Sequence, residues 1–409
     1  MMRNRSRLIA MILWVSAANV FGEAQSRTRD YPQWRGIDRD GSASGFVEPP
    51  RWPEALTRRW RVEIGEGYAS PLVVGNTVYA FSRRDGRELL SALDADTGRQ
   101  LWQMGYALAY KPSSPTAAHG SGPKATPVFH DGKIVTLGIS GVVAAFDARR
   151  GTLLWRTSEP SEVPFFSATS SPVGVGPFAI THPGNYGPLT AFEISSGKVA
   201  WTSGGDAFFM PPTVVTLEGI RQVVSVTQAA VIGVAAENGR LLWQFPWAGG
   251  RSGGIMPISH GDKLIVSATT AGIVAISPHL RNGVWIVDKA WETSAVEMYI
   301  SHPVLVGDTL FGFSRRGSGQ LFALDARDGR VLWLGEPRFA TNVAFAKADD
   351  LLFVLKDDAE LIVARANFSN LERLKTYEVA ESATWAQPVV SGRRLFVKDV
   401  TTLTMWTFD

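Results

Sequence analysis

One eleven-residue motif recurs five times along the chain, and it constrains the fold more than any other sequence feature. Each copy places a glycine four residues before a tryptophan, and four of the five carry an acidic residue four positions before the glycine. The copies are ALDADTGRQLW (92–102), AFDARRGTLLW (145–155), AFEISSGKVAW (191–201), GVAAENGRLLW (233–243) and ALDARDGRVLW (323–333). A motif repeated at this spacing indicates a series of similar supersecondary units that pack on one another.

The acidic residue, glycine and tryptophan of this motif are interpreted as structural. An aspartate at a turn can accept backbone N–H groups, and glycine tolerates a positive φ that other residues resist. The tryptophan offers a large apolar face to a neighbouring unit and one N–H group that needs a partner. The predicted structural set is Asp94, Gly98, Trp102, Asp147, Gly151, Trp155, Gly197, Trp201, Gly239, Trp243, Asp325, Gly329 and Trp333.

A second marker precedes the motif, namely a short apolar segment, a turn and another apolar run. Eight such hairpins begin at Ser70, Thr126, Ser171, Pro211, Met256, His302, Asn342 and Gln387. Turn dipeptides such as Gly75-Asn76 and Asp131-Gly132 are typical of hairpins between alternating strands. With two further strands contributed around each motif, the pattern predicts an all-β fold, an eight-bladed β-propeller of four-stranded antiparallel blades.

Three units depart from the repeat. The fifth offers Trp285 or Trp291 as its docking residue, and the seventh has no tryptophan. The eighth stops after three strands, so residues 58–64 are predicted to supply its outer strand and close the ring. The predicted domain organisation is therefore an N-terminal extension at 25–57, lying over the propeller as a loop, and a propeller at 58–409.

The N-terminus resembles a secretory signal peptide. Three arginines precede an apolar run from Leu8 to Phe21, and Gly22 and Ala24 are small residues suited to cleavage, so residues 1–24 are predicted to be removed. The remaining chain has 38 basic and 37 acidic side chains, a formal charge of +1. This balance gives no reason to expect a nucleic-acid partner, and no later segment is apolar enough for a membrane span.

The chain contains no cysteine. Disulfides, a thiol nucleophile, cysteine-bound zinc and lipid attachment to a cysteine after the signal are therefore excluded. Together with the signal, this predicts an exported protein, periplasmic or secreted, that is not anchored through a lipidated cysteine.

The repeat resembles a known family. The A-x-D-x-x-x-G-x-x-x-W pattern is similar to the PQQ-like repeat of quinoprotein alcohol dehydrogenases and of BamB propellers. YPQWRGIDRDGSASG (31–45) followed by GEGYASPLVVGNTVY (65–79) resembles exported PQQ-binding-like β-propeller repeat proteins of bacteria. The resemblance covers residues 31–409 and implies the propeller fold, but its members include both enzymes and non-enzymes.

Candidate binding residues come from the segments that lead into the innermost strands, because these segments surround one mouth of a propeller's channel. The candidates are Tyr68, Lys124, Met210, Arg251, Met256, Tyr299, His302, Asn342 and Trp385. Aromatic and methionine side chains in a ring could hold a flat ligand or an extended peptide. The competing interpretation is that they only fill the channel.

No catalytic or metal-binding motif stands out, so no catalytic residue, metal or cofactor is predicted. The leading hypothesis is a non-catalytic binding or scaffolding propeller of the cell envelope, compatible with a monomer, that engages a protein or peptide. One alternative is a quinoprotein dehydrogenase oxidising an alcohol or sugar, for which the resemblance implies PQQ with calcium in the channel. A second alternative is a BamB-like role in outer-membrane protein assembly.

Overall fold

The computed structural model describes residues 29–160, 162, 164–184, 187–205, 207, 210–249, 253–367 and 369–409. The predicted signal peptide at 1–24 and Arg251 lie outside the described residues. The described strands form eight four-stranded antiparallel sheets, which confirms the predicted eight-bladed propeller.

Blades are numbered in chain order, and the strands of each follow from the innermost outward. Blade 1 contains β2 (Leu72–Val74), β3 (Thr77–Arg84), β4 (Arg87–Asp94) and β5 (Gln100–Ala107), and blade 2 contains β6 (Val128–His130), β7 (Lys133–Leu137), β8 (Val143–Asp147) and β9 (Leu153–Arg156). Blade 3 contains β10 (Val173–Val175), β11 (Phe178–Thr181), β12 (Leu189–Glu193) and β13 (Val199–Ser203), and blade 4 contains β14 (Thr213–Leu217), β15 (Ile220–Val226), β16 (Ala230–Ala235) and β17 (Leu241–Pro246).

Blade 5 contains β18 (Ile258–His260), β19 (Lys263–Ala268), β20 (Gly272–Arg281) and β21 (Val284–Thr293), and blade 6 contains β22 (Val304–Val306), β23 (Thr309–Ser314), β24 (Gln320–Asp325) and β25 (Val331–Leu334). Blade 7 contains β26 (Val343–Ala348), β27 (Leu351–Lys356), β28 (Glu360–Ala366) and β29 (Leu371–Glu378). Blade 8 contains β30 (Val389–Ser391), β31 (Arg394–Lys398), β32 (Thr402–Thr407) and β1 (Thr57–Glu63), and short 3₁₀ helices lie at Ser114–His119 and Arg316–Ser318.

Each blade is a meander whose first strand is the innermost, and first strands of neighbouring blades contact one another. Two faces follow from this path. The segments before the first strand and the loops between second and third strands form what we call the mouth face. The hairpin turns after the first strand and the motif turns before the fourth form the opposite face, which we call the turn face.

The eighth blade takes its outer strand from the start of the described chain. β1 pairs antiparallel with β32, from Thr57 opposite Thr407 to Glu63 opposite Thr402. Trp60 of β1 is 7% exposed, and its indole Nε1 donates to the carbonyl oxygen of Ala95 in blade 1, 2.9 Å away. The first and last strands of the propeller are therefore joined in one sheet, and a tryptophan of that sheet docks on blade 1.

The glycine of the motif is needed for a steric reason. Where the following blade carries the motif, the tryptophan lies against that blade's motif glycine, so that a Cβ added to Gly151 would lie 2.5 Å from the ring of Trp102. The same holds for Trp155 on Gly197 and for Trp291 on Gly329. Of the two candidates in blade 5, Trp291 is thus the docking residue.

Blade 7 lacks a docking tryptophan, and other aromatic side chains occupy its interface with blade 8. Trp406 of β32 donates its indole N–H to the carbonyl oxygen of Val379, 3.0 Å away. Beside it, Phe46 and Trp52 of the N-terminal extension contact Phe408 edge to face, at centroid distances of 5.5 and 5.7 Å. The extension therefore supplies apolar contacts that the degenerate blade lacks.

Candidate functional site

Residues 30–44, which we call the plug, lie inside the ring rather than over it as the sequence analysis expected. The reason is the unpaired inner edge that every first strand presents to the channel. Backbone hydrogen bonds join the plug to blades 1, 2, 7 and 8 in turn. Named with the N–H donor first and the carbonyl acceptor second, and with their N···O distances, they are Tyr31 to Val73 (2.6 Å), Phe129 to Pro32 (2.7 Å), Ala43 to Lys347 (2.6 Å) and Gly392 to Ser44 (2.7 Å). The plug thus satisfies inner-edge groups that four blades leave open.

Two buried arginines extend the plug to two further blades. Arg35 is 1% exposed, and its guanidinium donates to the carbonyl oxygens of His302 and Pro303 in blade 6, at 3.2 and 2.5 Å. Arg39 donates to the carbonyl oxygen of Pro172 in blade 3, 3.1 Å away. Burial lowers the pKa of Arg35 to about 10 and that of Arg39 to about 9.

A group of four side chains on the mouth face, which we call the mouth cluster, consists of Tyr68, His119, Lys124 and Trp385. The His119 ring meets Trp385 edge to face at a centroid distance of 4.6 Å and Tyr68 at 6.0 Å. Lys124 donates to the hydroxyl of Ser167 at 3.1 Å, and burial lowers its pKa to about 8. The cluster therefore combines aromatic rings with a lysine that loses its proton more readily than a solvent-exposed lysine does.

A pocket of about 280 Å³ adjoins the mouth cluster. Trp385 forms one wall, and Tyr299, Arg315, Thr341 and Asn342 contribute the polar groups. The guanidinium of Arg315 lies over the Tyr299 ring, 5.0 Å from its centroid. Five predicted site residues, Tyr68, Lys124, Tyr299, Asn342 and Trp385, thus share one region of the mouth face.

Three predicted site residues lie away from this region. Met210 and Met256 are 1% and 3% exposed and belong to the packed interior. His302 lies beneath the mouth beside Trp34, with ring centroids 4.5 Å apart, and its Nε2 accepts the N–H of Met256 at 2.8 Å. Burial and the nearby Arg35 charge lower the pKa of His302 to about 3, so it is neutral at pH 7.

Sequence reasoning missed His119 and Arg315 as site residues. His119 ends the 3₁₀ helix in the long connection between β5 and β6, ahead of residues 123–127 that lead directly into β6, and Arg315 follows β23. For Arg315 the meander path gave a signal, because loops between second and third strands return to the same face as the segments that lead into the inner strands. Trp34, Arg35 and Arg39 belong to the 31–45 segment, and nothing in their spacing predicts that they lie inside the ring.

Stability should depend on pH through the buried His182, which is 5% exposed. Its Nδ1 lies 3.1 Å from the Gly187 carbonyl oxygen, its Nε2 lies 2.7 Å from the Ser225 hydroxyl, and burial lowers its pKa to about 4. The unfolded state, with a histidine pKa of about 6.5, binds the proton first on acidification. Stability should therefore fall as pH drops from about 6.5 towards 4, by about 1 kcal/mol between pH 7.5 and 5.5 from this residue.

Urea unfolding at several pH values between 5.5 and 7.5 measures this effect. His302, whose pKa is shifted in the same direction, adds to it. The variant His182→Asn should remove the contribution of this residue and so reduce the pH slope of stability. Equal slopes in wild type and His182→Asn would contradict the assignment.

The dehydrogenase alternative implies a calcium ion in the channel, held by acidic and asparagine side chains. Among the described residues, no three His, Asp or Glu side chains come together as a metal-binding group. The plug places Arg35 and Arg39 at the centre of the ring, and its Asp40 is bound by Lys347 at 2.8 Å and by Ser42.

No helix within the described residues has the length and apolarity needed to cross a bilayer.

Comparison with solved structures shows the fold. The chain superposes on BamB from Moraxella catarrhalis with a TM-score of 0.59 at 16% identity, covering 86% of this chain and all of that one. Against the quinohemoprotein alcohol dehydrogenase of Comamonas testosteroni, the TM-score is 0.67 at 12% identity, covering 95% and 82% of the two chains. A europium-containing methanol dehydrogenase gives 0.66 at 12% identity, covering 93% and 91%.

Sequence comparison identifies one of these families. The outer membrane protein assembly factor BamB of Yersinia pestis is 26% identical over 295 residues, which cover 68% of this chain. The match spans 61% of that relative's own length. The sequence profile of the family described as outer membrane protein assembly factor BamB matches residues 86–335, well over half of the chain. The chain therefore belongs to the outer membrane protein assembly factor BamB family of PQQ-like repeat β-propellers.

Proposed function

We propose that the protein is a non-catalytic binding propeller of the cell envelope that holds an extended protein segment at its mouth face, in a BamB-like role in outer-membrane protein assembly. The observation that carries this proposal is the mouth cluster with its adjoining pocket. The family membership supports a scaffold, because the matching relative is named as an assembly factor.

The chemistry of the mouth suits a polypeptide. Tyr68 and Trp385 are half-buried, so each is fixed in place yet keeps an accessible aromatic face. Aromatic side chains of this kind dominate the binding energy of many protein interfaces. Asn342, Arg315 and the Lys124 ammonium stand beside them as donors for backbone carbonyl oxygens or acidic side chains.

The plug gives the mouth a solid floor. Trp34 lies between His302, at a centroid distance of 4.5 Å, and the guanidinium of Arg39, 5.5 Å from its ring. A partner would therefore lie across the mouth rather than thread through the ring. Such a rigid surface loses little conformational entropy on binding, which favours recognition of a flexible partner.

Co-purification from envelope extracts of the native host tests this proposal. The full chain should recover the outer-membrane assembly machinery or its client proteins, and Tyr68→Ala with Trp385→Ala should reduce that recovery by roughly thirtyfold, as loss of an aromatic hot spot does. Trp285→Ala, on the outer hairpin of blade 5, is the matched control and should keep it. Equal recovery by the Tyr68→Ala and Trp385→Ala double variant and by wild type would show that the mouth cluster does not bind the partner.

An activity assay addresses the competing enzyme hypothesis. Purified protein is incubated with PQQ, calcium, an artificial electron acceptor, and either an alcohol or a sugar. We expect no turnover above background. Substrate-dependent reduction of the acceptor would overturn the non-catalytic proposal in favour of the dehydrogenase alternative.

A further inference from the structure

A groove of about 410 Å³ lies on the turn face, along the interface between blades 1 and 2. Inner, middle and outer strands all contribute to it, so it runs from the inner strands towards the free edge of β5. Its aromatic and larger aliphatic lining residues are Val74, Tyr79, Leu101, Trp102 and Phe129. The Tyr79 ring is central, with its centroid 5.8 Å from that of Trp102 and 6.4 Å from that of Phe129. We call this site the interblade groove.

The indole N–H of a docking tryptophan has a recurrent partner in this ring. Trp60, Trp155 and Trp291 each donate to the carbonyl oxygen of the residue after the acidic motif position of the next blade, at 2.9, 2.9 and 3.0 Å. The three acceptor residues are Ala95, Ile194 and Ala326. For Trp102, the equivalent acceptor is the carbonyl oxygen of Ala148.

Tyr79 occupies that acceptor instead. Its hydroxyl donates to the carbonyl oxygen of Ala148 at 3.1 Å, and no acceptor within the described residues is hydrogen-bonded to the Trp102 indole N–H. The indole nitrogen of Trp201 is buried without a partner, whereas that of Trp102 is not among the buried atoms. The Trp102 N–H is therefore a free donor that a ligand in the interblade groove can reach.

The hydroxyl of Tyr79 is a departure from the repeat. Tyr79 lies opposite Leu72 in the ladder between the first two strands of blade 1. The residues at the same ladder position in blades 2, 3, 5, 6 and 8 have no hydroxyl, and they are Val135, Ile180, Ile265, Phe311 and Phe396. None of these side chains can compete for the carbonyl oxygen, so the free indole donor in blade 1 results from the tyrosine.

A cation stands at the rim of the interblade groove. Arg149, in the motif turn of blade 2, is exposed and lines the groove. The carboxylates of the two adjacent turns have other partners, because Asp131 pairs with Lys133 at 3.5 Å and Asp147 accepts the backbone N–H of Arg150 at 2.7 Å. Arg149 forms no ion pair within the part of the chain that the structure describes. The groove thus presents two free donors and has no carboxylate among its described lining residues.

We propose that the interblade groove docks an extended polypeptide segment in which an aromatic side chain is flanked by an acidic one. The aromatic side chain packs against the rings of Tyr79, Trp102 and Phe129. A backbone carbonyl oxygen of the segment accepts the Trp102 N–H, and the acidic side chain pairs with Arg149.

The edge of blade 1 favours a polypeptide over a small aromatic acid as the occupant. β5 is the outermost strand of its sheet, and no strand of the described chain pairs with its outer edge. An extended chain can hydrogen-bond to such an edge, whereas a small acid cannot. The interblade groove is on the opposite face from the mouth cluster, so docking there does not depend on the function of the mouth.

Peptide titration of the full chain tests the site. The probe is acetyl-Gly-Glu-Phe-Glu-Gly-amide, and its two controls replace Phe by Ala or both Glu by Gln. We expect the probe to bind about tenfold more tightly than the alanine control, because the aromatic side chain is the anchor, and about threefold more tightly than the glutamine control, because an exposed ion pair contributes little. Failure of the probe to bind at millimolar concentration, or equal binding of probe and alanine control, overturns the site. Equal binding of probe and glutamine control overturns the acidic residue.

The occupant is identified by a fourth ligand. Phenylpropionate carries the same ring and a carboxylate without a peptide backbone, so it should bind more weakly than the probe. Binding as tight as that of the probe would show that the groove takes a small aromatic acid and would overturn the polypeptide assignment.

The charge at the rim is tested by a matched pair of variants. Arg149→Gln should remove the preference for the probe over its glutamine control. Arg150→Gln makes the same charge change at the next exposed position of the turn, outside the groove lining, and should keep that preference. The same loss of preference in both variants would show that Arg149 does not bind the acidic side chain.

Tyr79→Phe tests the indole donor. Without the hydroxyl, the Trp102 N–H can bond to the carbonyl oxygen of Ala148 as the other docking tryptophans do, so the affinity for the probe should fall about threefold although the aromatic ring is kept. The Trp102 indole signal in a proton–nitrogen correlation spectrum, assigned by its loss in Trp102→Phe, should exchange rapidly with solvent in wild type and more slowly in Tyr79→Phe. If Trp102→Phe does not fold, the signal that gains protection in Tyr79→Phe identifies Trp102. Unchanged affinity and unchanged indole exchange in Tyr79→Phe would overturn the role of Trp102.

Discussion

Replacing Arg35 by methionine should lower the free energy of unfolding by about 4 kcal/mol. The guanidinium is the polar centre of the plug and donates to the carbonyl oxygens of Arg39, Asp40, His302 and Pro303 at 3.3, 3.1, 3.2 and 2.5 Å. Methionine fills similar space without donors, so these buried acceptors would lose their partner. The cost of unsatisfied buried groups then exceeds the gain from removing a buried charge.

Urea unfolding followed by tryptophan fluorescence measures this difference. Arg99→Met is the matched control, because Arg99 is exposed in the motif turn of blade 1 and should change stability by less than about 0.5 kcal/mol. In Arg35→Met, hydrogen exchange should also accelerate at the backbone amides of Ala43 and Gly392, which the plug pairs with blades 7 and 8. Wild-type stability in Arg35→Met would show that the plug is not a structural part of the ring.

Replacing Gly151 by alanine should cost about 3 kcal/mol. The residue has a φ of +74°, where an L-residue is strained by about 1 kcal/mol. A new Cβ would also lie 2.5 Å from the Trp102 ring, and forced overpacking adds about 2 kcal/mol. The effect should appear as a lower urea midpoint with an unchanged m-value.

Gly132 provides the matched control within the same blade. Its φ is +70°, but a Cβ there would meet no atom within 4 Å, so Gly132→Ala should cost only about 1 kcal/mol. In a Trp102→Val background, Gly151→Ala should cost less than it does in wild type, because the smaller side chain leaves room for the methyl group. Equal costs at Gly132 and Gly151 would mean that backbone strain, rather than the docked tryptophan, requires glycine in the motif.

The sequence was sufficient to predict the ring because every blade carries a local hairpin signal and five of the eight also carry the motif. Turn residues fix the hairpins, and the motif fixes the distance between the docking tryptophan and its glycine. Even the incomplete eighth blade was recognisable, because β32 lacks a following strand and 58–64 reads as one. What could not be predicted there is the contact of Trp60 with Ala95, since no local pattern reports which blade a strand will meet.

The candidate site was predictable only in part. Tyr68, Tyr299, Asn342 and Trp385 follow from the rule that segments leading into inner strands reach the mouth. His119 approaches Trp385 because a 3₁₀ helix brings it across from another blade, and this depends on loop conformation. Met210 and Met256 satisfy the same sequence rule yet lie in the packed interior, because both precede their strands and the conformation of these connecting segments depends on tertiary packing.

The repeats thus determined the number of blades and their strand order from interactions between residues close in sequence, and the missing outer strand of blade 8 indicated how the ring closes. Only the tertiary structure decided what lies at the centre. Closing eight blades into a ring brings eight unpaired strand edges together, and the 30–44 segment satisfies several of them with its backbone and with Arg35 and Arg39. Those contacts join residues separated by up to several hundred positions, so they exist only once the ring has formed.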